Sequence, residues 1–127
     1  MKTILVDAVH CFVIVDQGIF EKMHDLLETY HNKKIILTGA NDEEQKKFGL
    51  DKMPYEVFTL KHDPEKTDPK YFQLMLEKYG LNKNDVIYFE HDHKAVESAR
   101  SIGINSYHYD NEKKNLTALK NFLDNNL

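Results

Sequence analysis

The chain has 127 residues, of which 17 are Lys or Arg and 21 are Asp or Glu, so its formal net charge is −4. This length predicts one domain, residues 1–127, and the 41% hydrophobic and 30% charged fractions exclude a disordered or fibrous protein. No apolar run reaches about 18 residues, which argues against a membrane-spanning helix. Mild acidity argues against nucleic acid as the main partner. The single cysteine, Cys11, cannot form an internal disulfide, which predicts a reducing, cytoplasmic environment.

The amino-terminal part of the sequence predicts a buried strand, a short flap and a helix. Residues 3–9 form a continuous β-rich run with Asp7 inside it, as expected of a strand buried on both faces. A second apolar patch at 11–15 follows after too short a gap for a helix, which predicts a hairpin or flap. Between residues 19 and 30 the apolar side chains recur at helical spacing.

The rest of the chain predicts alternating strands and helices. The predicted strands cover 35–37, 55–60, 86–89 and 104–109, and the predicted helices cover 42–48, 69–79, the region around 96–102 and the region around 116–123. Strands separated by helical crossovers imply a mostly parallel sheet covered on both faces. We therefore predict a single three-layer, Rossmann-like α/β domain with a five-stranded sheet.

Polar residues stand at the predicted carboxyl ends of three strands. Asp7 ends the first strand, Thr38 and Gly39 end the second, and Glu90 and His91 follow the fourth. A lysine, Lys66, lies in the loop before the third crossover helix. Ligands of open α/β sheets bind at the carboxyl ends of the strands. We therefore expect these side chains to meet in one cleft.

Each of these residues has a functional and a purely structural interpretation. A carboxylate buried without a partner costs several kcal/mol, so Asp7 is either a nucleophile, a metal ligand or a cap for a nearby loop. Thr38 and Gly39 either hold a phosphate or form a turn in which the hydroxyl bonds its own backbone. Lys66 either neutralises charge between a carboxylate and a phosphoryl group or is a solvated loop lysine.

The segment from Glu90 to His93 is dense in groups that can bind a metal. Carboxylates suit Mg²⁺, whereas imidazoles suit Zn²⁺, Ni²⁺ or Cu²⁺. The alternative is a helix N-terminus whose acidic side chains complement the helix dipole. The remaining histidines are scattered, and Cys11 shows no pattern typical of a nucleophile.

Four segments, in this order, resemble motifs of the haloacid dehalogenase-like (HAD-like) hydrolase superfamily. They cover nearly the whole chain and comprise Ile4–Asp7, Ile35–Gly39, Lys66–Phe72 and Val86–Ile104. The segment starting at Lys66 is similar to the family's Lys-Pro-Asp-Pro-x-x-Phe, and the last segment to its strand, acidic pair and helix before Gly-Ile. The resemblance implies the sheet order 5-4-1-2-3.

The resemblance also implies roles for individual residues. Asp7 would attack phosphorus and form an aspartyl-phosphate, Thr38 and the following amide would hold phosphoryl oxygens, and Lys66 would balance charge. Mg²⁺ would lie between Asp7, the backbone carbonyl of Val9 and an acid after the fourth strand. A phosphorylated substrate or ligand is the expected partner.

Two positions depart from the family pattern. Val9 stands where the phosphatases carry a second Asp, the general acid and base, so phosphomonoester turnover should be strongly reduced. His91 stands at the usual metal position beside Glu90, and Asp92 would supply an acid only after a shift of one residue. We therefore predict weak Mg²⁺ binding.

No cap module is predicted, since only the flap follows Asp7 and only a short helix and strand separate Thr38 from Lys66. In the family, uncapped members act on large substrates or use a partner subunit as a lid, which makes a homo-oligomer one expectation. A hydrolase with reduced or altered activity ranks first and a non-catalytic domain that binds a phosphorylated ligand or a protein ranks second. A phospho-accepting receiver domain ranks last, because the third strand ends without the required Asp.

Overall fold

A five-stranded parallel sheet with helices on both faces forms the centre of the computed structural model, which describes residues 1–127. The strands are β1 (Thr3–Asp7), β2 (Val13–Ile14), β3 (Gly18–Ile19), β4 (Lys34–Thr38), β5 (Glu56–Thr59), β6 (Val86–Glu90) and β7 (Asn105–His108). The α-helices are α1 (Glu21–Glu28), α2 (Asp42–Lys47), α3 (Pro69–Tyr79), α4 (His93–Ser101) and α5 (Leu116–Asn126), with 3₁₀ turns at Leu50–Lys52 and Lys83–Asp85.

The main sheet has the order β5-β4-β1-β6-β7, and every neighbouring pair in it is parallel. When the five strands of this sheet are numbered along the chain and the sheet is read from the β7 edge, the order is 5-4-1-2-3. This confirms the predicted topology. Strand β1 is central and all five of its residues are buried. Its carboxyl end consequently lies between the carboxyl ends of β4 and β6.

Alternation along β1 divides the core into two layers. Ile4 and Val6 pack in the layer that contains buried side chains of α1 and α5, whereas Leu5 packs in the layer that contains those of α3. Successive side chains of a strand point to opposite faces, so an uninterrupted apolar run is what a doubly covered strand needs. The three-layer prediction is confirmed.

The predicted flap is a two-stranded hairpin, in which β2 pairs antiparallel with β3. Strand β1 is shorter than predicted and ends at Asp7, because the backbone turns immediately afterwards. The amide of Phe12 donates to the carbonyl of Asp7 at 3.2 Å, and the amide of Val13 donates to that of Ala8 at 3.0 Å. Val9 therefore lies in a turn beside the sheet edge.

Helix ends follow the expected local chemistry. Asn41 and Glu44 form a capping box at the start of α2, and Asp68 caps α3 ahead of Pro69. Gly80 ends α3 in the left-handed region, with φ of 62°. None of the helices has the length and apolar character that crossing a membrane requires.

Tyr71 of α3 ties this helix to the sheet directly beneath the carboxyl edge. Its hydroxyl donates to the carbonyl of Thr38 at 2.7 Å and to that of Phe58 at 3.2 Å. We expect Tyr71→Phe to lower the free energy of unfolding by about 1–3 kcal/mol, because buried acceptors lose a donor. Urea denaturation followed by circular dichroism measures the change.

Tyr109→Phe is the matched control. Tyr109 is equally buried, but its hydroxyl has no hydrogen-bond partner. Its removal should change the free energy of unfolding by no more than about 0.5 kcal/mol. Equal losses in the two variants would contradict the role assigned to the Tyr71 hydroxyl.

Candidate active site

A cavity of about 270 Å³ opens at the carboxyl edge of the sheet. The residues singled out from the sequence that line it are Asp7, Val9, Thr38, Gly39, Lys66, Glu90, His91 and Asp92. His93 lies outside the cavity and pairs with Glu97 on the exposed side of α4. Strands β1, β4 and β6 deliver three of the lining residues, Asp7, Thr38 and Glu90, because parallel neighbours end at one edge. The structure thus brings the predicted residues together, although their side chains do different things.

Asp7 is the centre of the cluster and is only 3% exposed. Lys66 Nζ donates to Asp7 Oδ1 at 2.6 Å and to Glu90 Oε1 at 3.0 Å, so one ammonium bridges two carboxyl groups. The other Asp7 oxygen, Oδ2, is hydrogen-bonded by His91 Nδ1. Both oxygens of this buried carboxylate therefore face a basic side chain.

His91 joins the same two acids from the start of the loop after β6. Its Nδ1 lies 3.1 Å from Glu90 Oε2, and its backbone amide is 3.4 Å from Asp7 Oδ2. The backbone carbonyl of His91 accepts a hydrogen bond from His108 Nε2 at 2.9 Å. The imidazole is thus held in one orientation between two carboxyl groups.

Glu90 is almost completely buried, with 1% exposure, and hydrogen-bonding or charged groups surround its carboxyl oxygens. Besides Lys66 and His91, it accepts a hydrogen bond from the Tyr88 hydroxyl and one from the amide of Asp92 at 3.1 Å. Tyr88 precedes it by two residues on β6 and therefore points to the same face of the strand. Glu90 serves as the anchor that orients Lys66.

The charges of this cluster shift the pKa values of its members. Burial alone would raise the pKa of Asp7, but the charge of Lys66 and the hydrogen bond of His91 outweigh it and lower that pKa strongly. Burial would lower the pKa of Lys66, but Asp7 and Glu90 raise it. Burial and the charge of Asp7 raise the pKa of Glu90. Asp7 is therefore ionised and Lys66 protonated at neutral pH.

The loop that carries Lys66 is anchored at the rim of the cavity. His62 Nε2 lies 2.5 Å from Glu44 Oε1 of α2, and its Nδ1 lies 2.9 Å from Glu65 Oε1. The amide of Asp68, the cap of α3, also donates to the carbonyl of Glu65 at 3.0 Å. These contacts place Lys66 over the end of β1.

Thr38 forms the turn in which its hydroxyl hydrogen-bonds the nearby backbone, one of the two interpretations of this motif from the sequence. Its hydroxyl accepts a hydrogen bond from the amide of Ala40 at 3.1 Å. A Cβ at Gly39 would lie 3.4 Å from His62 Nδ1, so this glycine keeps the cavity rim uncrowded. The Thr38 hydroxyl thus lies beside the cavity while it also stabilises its own turn.

Asp92 and Val9 line the cavity without contributing a carboxylate to the cluster. The Asp92 side chain accepts a hydrogen bond from the amide of Lys94 at 3.0 Å and caps α4. The carboxylate that the sequence suggested as a replacement metal ligand therefore serves as a helix cap in this structure. Val9 contributes only an aliphatic side chain to the cavity wall.

Three further residues at or beside the cluster, Tyr88, Cys11 and His10, were not expected there from the sequence. Donor atoms of Cys11, Asp7 and His91 lie within 4.8 Å of one another. Burial and the nearby charges of Asp7 and Glu90 raise the pKa of the Cys11 thiol, which keeps it protonated. Tyr88 could have been predicted as a partner of Glu90, because residues two apart on a strand point to the same face. No local pattern indicated Cys11.

His10 lines the cavity mouth in an unusual backbone conformation. Its φ is +74°, a region that residues other than glycine rarely adopt, and its ring centroid lies 5.0 Å from that of His91. In the sequence His10 is one of several scattered histidines, for which a surface position or a satisfied hydrogen bond was the expectation. The positive φ depends on the turn after β1, which the sequence did not reveal.

Comparison with known proteins identifies the fold. A variant of bt-2542, a HAD family enzyme from Bacteroides thetaiotaomicron solved with magnesium and inorganic phosphate, has a TM-score of 0.70 and 12% identity, covering 85% of this chain and 93% of its own. A hydrolase from Streptococcus pneumoniae TIGR4 has a TM-score of 0.62 and 19% identity, covering 84% of this chain and 57% of its own. An uncharacterized protein from Corynebacterium glutamicum has a TM-score of 0.63 and 16% identity, covering 98% and 96%.

These similarities show that the chain has the HAD-like fold, without a cap domain. No family model matches the chain, and no curated protein matches its sequence.

The groups at the end of β1 do not fit Mg²⁺, the ion seen in the bt-2542 structure. Mg²⁺ requires oxygen ligands in near-octahedral geometry. Here both Asp7 oxygens accept hydrogen bonds from protein side chains, and Glu90 is hydrogen-bonded to Lys66 and Tyr88. The His91 side chain offers nitrogen in place of an oxygen ligand. Of the set expected from the sequence, namely Asp7, Val9, Glu90, His91 and Asp92, the Asp7, Glu90 and His91 side chains are engaged with one another and the Asp92 side chain with a helix end.

The hydrogen bonds of His91 make the stability of the fold dependent on pH. Burial alone would lower the pKa of His91, but Asp7 and Glu90 raise it from 6.5 to about 10. The folded chain therefore binds this proton more tightly, and the resulting stability is complete below pH 6.5 and lost as pH rises through about 10. We expect the free energy of unfolding to fall over this range.

Urea denaturation at several pH values measures the slope, with His91→Gln compared against His31→Gln at an exposed position. The slope should flatten only in His91→Gln. Parallel curves for the wild type and His91→Gln would show that the stability of the folded chain is not linked to this proton.

Proposed function

We propose that this chain is a HAD-like hydrolase of phosphate monoesters that uses Asp7 as its nucleophile. The observation that carries the proposal is an ionised carboxylate at the floor of a cavity, held between Lys66 and His91 at the carboxyl edge of the sheet. An anion that is both buried and oriented suits in-line attack on phosphorus. The magnesium and phosphate in the bt-2542 structure support a phosphoryl ligand for this fold.

The proposed reaction has two displacements. In the first, an Asp7 oxygen forms a bond to phosphorus and the ester oxygen departs with the electron pair of the broken P–O bond. In the second, water attacks phosphorus, the bond to Asp7 breaks, and inorganic phosphate leaves with the carboxylate restored. Lys66, fixed by Glu90, offsets the negative charge that accumulates on the phosphoryl oxygens.

Proton transfer is the weak part of this mechanism. The leaving oxygen needs a proton unless it is a good leaving group, and the hydrolytic water must lose one. Val9 can supply neither function, and general acid–base catalysis contributes typically about 10²–10⁴-fold. We therefore propose reduced or altered activity, with a preference for esters whose leaving groups need little protonation.

The dimensions of the cavity constrain the substrate. Its volume of about 270 Å³ is just below the usual range of pockets that enclose a drug-sized ligand, and no cap covers it. The phosphoryl end of a substrate would enter, while the rest of the molecule would lie outside against the rim. A large phosphorylated molecule fits this arrangement better than a small metabolite that must be enclosed.

A non-catalytic domain that binds a phosphorylated ligand is the second candidate. The favouring observation is that Lys66 and His91 occupy both oxygens of Asp7, while Val9 removes the proton-transfer group. On this hypothesis the same cavity binds a phosphoryl group and releases it unchanged. The two candidates differ in whether Asp7 becomes phosphorylated.

Replacing the nucleophile tests the enzyme hypothesis. Asp7→Asn should abolish hydrolysis of aryl phosphates, because the amide cannot form the acyl-phosphate. The measurement is release of the aryl alcohol by the wild type and by the variant, with folding checked by near-ultraviolet circular dichroism. Asp124→Asn, at a surface position on α5, is the matched control and should retain activity. Residual activity of Asp7→Asn at the wild-type level would contradict a nucleophilic Asp7.

Restoring an acid at position 9 tests the missing proton transfer. Val9→Asp should raise turnover by about 10²-fold or more if the other groups are correctly placed, whereas Val9→Asp combined with Asp7→Asn should remain inactive. The wild type should release a burst of aryl alcohol before slow turnover, since hydrolysis of aspartyl-phosphate lags. A well-folded Val9→Asp variant no faster than the double variant would favour the binding domain.

A further inference from the structure

We infer that the His91 side chain takes the place of a divalent cation in this cavity, so that the cavity accepts a phosphoryl group without a metal ion. The inference deepens the proposed function and rests on it for the identity of the ligand. It depends on three features of the described cluster, which are the direction of the His91 hydrogen bonds, the balance of charge and the burial of the groups involved.

The first feature is the direction of the hydrogen bonds. His91 Nδ1 faces Asp7 Oδ2 and lies 3.1 Å from Glu90 Oε2, and an ionised carboxylate can only accept. Nδ1 must therefore carry a hydrogen, which leaves it no lone pair for a metal. The same Asp7 oxygen that would ligate a cation is engaged by this N–H group and by the His91 amide at 3.4 Å.

The second feature is the balance of charge. Two basic groups, Lys66 and His91, face two carboxyl groups, Asp7 and Glu90. A divalent ion would add two positive charges beside an ammonium and an imidazole that already hold these oxygens. Opposite charges stabilise buried carboxylates and like charges in low dielectric repel strongly, so the cluster has no electrostatic requirement for the ion.

The third feature is burial. The Asp7 and Glu90 side chains are 4% and 1% exposed, whereas the His91 side chain is 25% exposed and lines the cavity. His91 therefore combines contact with Asp7 and access to a ligand, and it is the more exposed of the two bases, since the Lys66 side chain is 13% exposed. A positive charge held there would act on Asp7 and on a phosphoryl group bound in the cavity.

The neighbouring Cys11 raises one rival interpretation. Asp7, Cys11 and His91 together offer oxygen, sulfur and nitrogen within 4.8 Å of one another, a donor set that suits zinc rather than magnesium. The Cys11 thiol is 1% exposed and lies beside two carboxyl groups, surroundings that disfavour the thiolate a metal needs. Zinc binding is therefore an outcome that the experiment must include.

The experiment measures binding by calorimetry on the full chain, freed of metal by chelator and dialysis. The probes are Mg²⁺ alone, Zn²⁺ alone, and inorganic phosphate with either chelator or excess Mg²⁺. The wild type should bind phosphate equally well in both conditions and give no heat with Mg²⁺. His91→Asp, which supplies a hard oxygen ligand, should bind Mg²⁺ and should bind phosphate about tenfold or more tightly when Mg²⁺ is present.

His91→Asn provides a second variant in case a third carboxylate unfolds the cluster. It also presents an oxygen but adds no negative charge, and it should bind Mg²⁺ more tightly than the wild type. Phosphate binding by the wild type that requires Mg²⁺, or Mg²⁺ affinity equal in the wild type and both variants, would overturn the inference. Tight Zn²⁺ binding by the wild type that Cys11→Ser abolishes would also overturn it.

Failure of the proposed function gives a different result. If neither the wild type nor any variant binds phosphate under any condition, the phosphoryl ligand is wrong. The Mg²⁺ titrations alone then still decide the role of His91, because gain of Mg²⁺ binding in the two variants over a silent wild type supports it. The readout is heat of binding and does not depend on turnover.

Discussion

The buried ion pair between Asp7 and Lys66 is the interaction on which the rest of the site depends. A carboxylate inside a continuous apolar strand is destabilising by several kcal/mol unless a partner compensates it. Lys66 compensates it from 59 positions away in sequence, at 2.6 Å. Lysine is itself costly to bury, so Glu90 completes its hydrogen bonding and the Tyr88 hydroxyl in turn completes that of Glu90. The charge of Asp7 at the end of β1 thus requires polar partners in the loop before α3, which carries Lys66, and on β6, which carries Tyr88 and Glu90.

These paired charges also limit the chemistry that the site can perform. Every carboxyl group in the cluster already has a basic partner within the protein, which keeps Asp7 ionised and oriented. Val9 adds no proton donor or acceptor beside them. If the proposed function holds, this arrangement favours binding and attack of a phosphoryl group over completion of the catalytic cycle, and the same geometry accounts for both the hydrolase and the binding-domain hypotheses.

Backbone strain is concentrated around the same cavity. Five residues other than glycine have positive φ, and His10, Lys61 and His62 among them belong to the two loops that bound the cavity. Such conformations cost about 1–3 kcal/mol each and persist only where surrounding contacts impose them. The His62 hydrogen bonds to Glu44 and Glu65 are contacts of that kind. The strained backbone at the rim therefore lowers the stability of the fold, and contacts around the cavity offset that cost.

The sequence by itself determined the order of elements and the parallel sheet, because hydrophobic periodicity acts within a few residues. It also indicated that Asp7, Lys66 and Glu90 meet at one edge, since parallel strands end together. Only the tertiary structure decided what each side chain does there. Asp92 caps its helix, and His91 donates to Asp7 where an acid would bind metal. Those outcomes depend on distances between segments dozens of residues apart, which packing sets and local pattern does not encode.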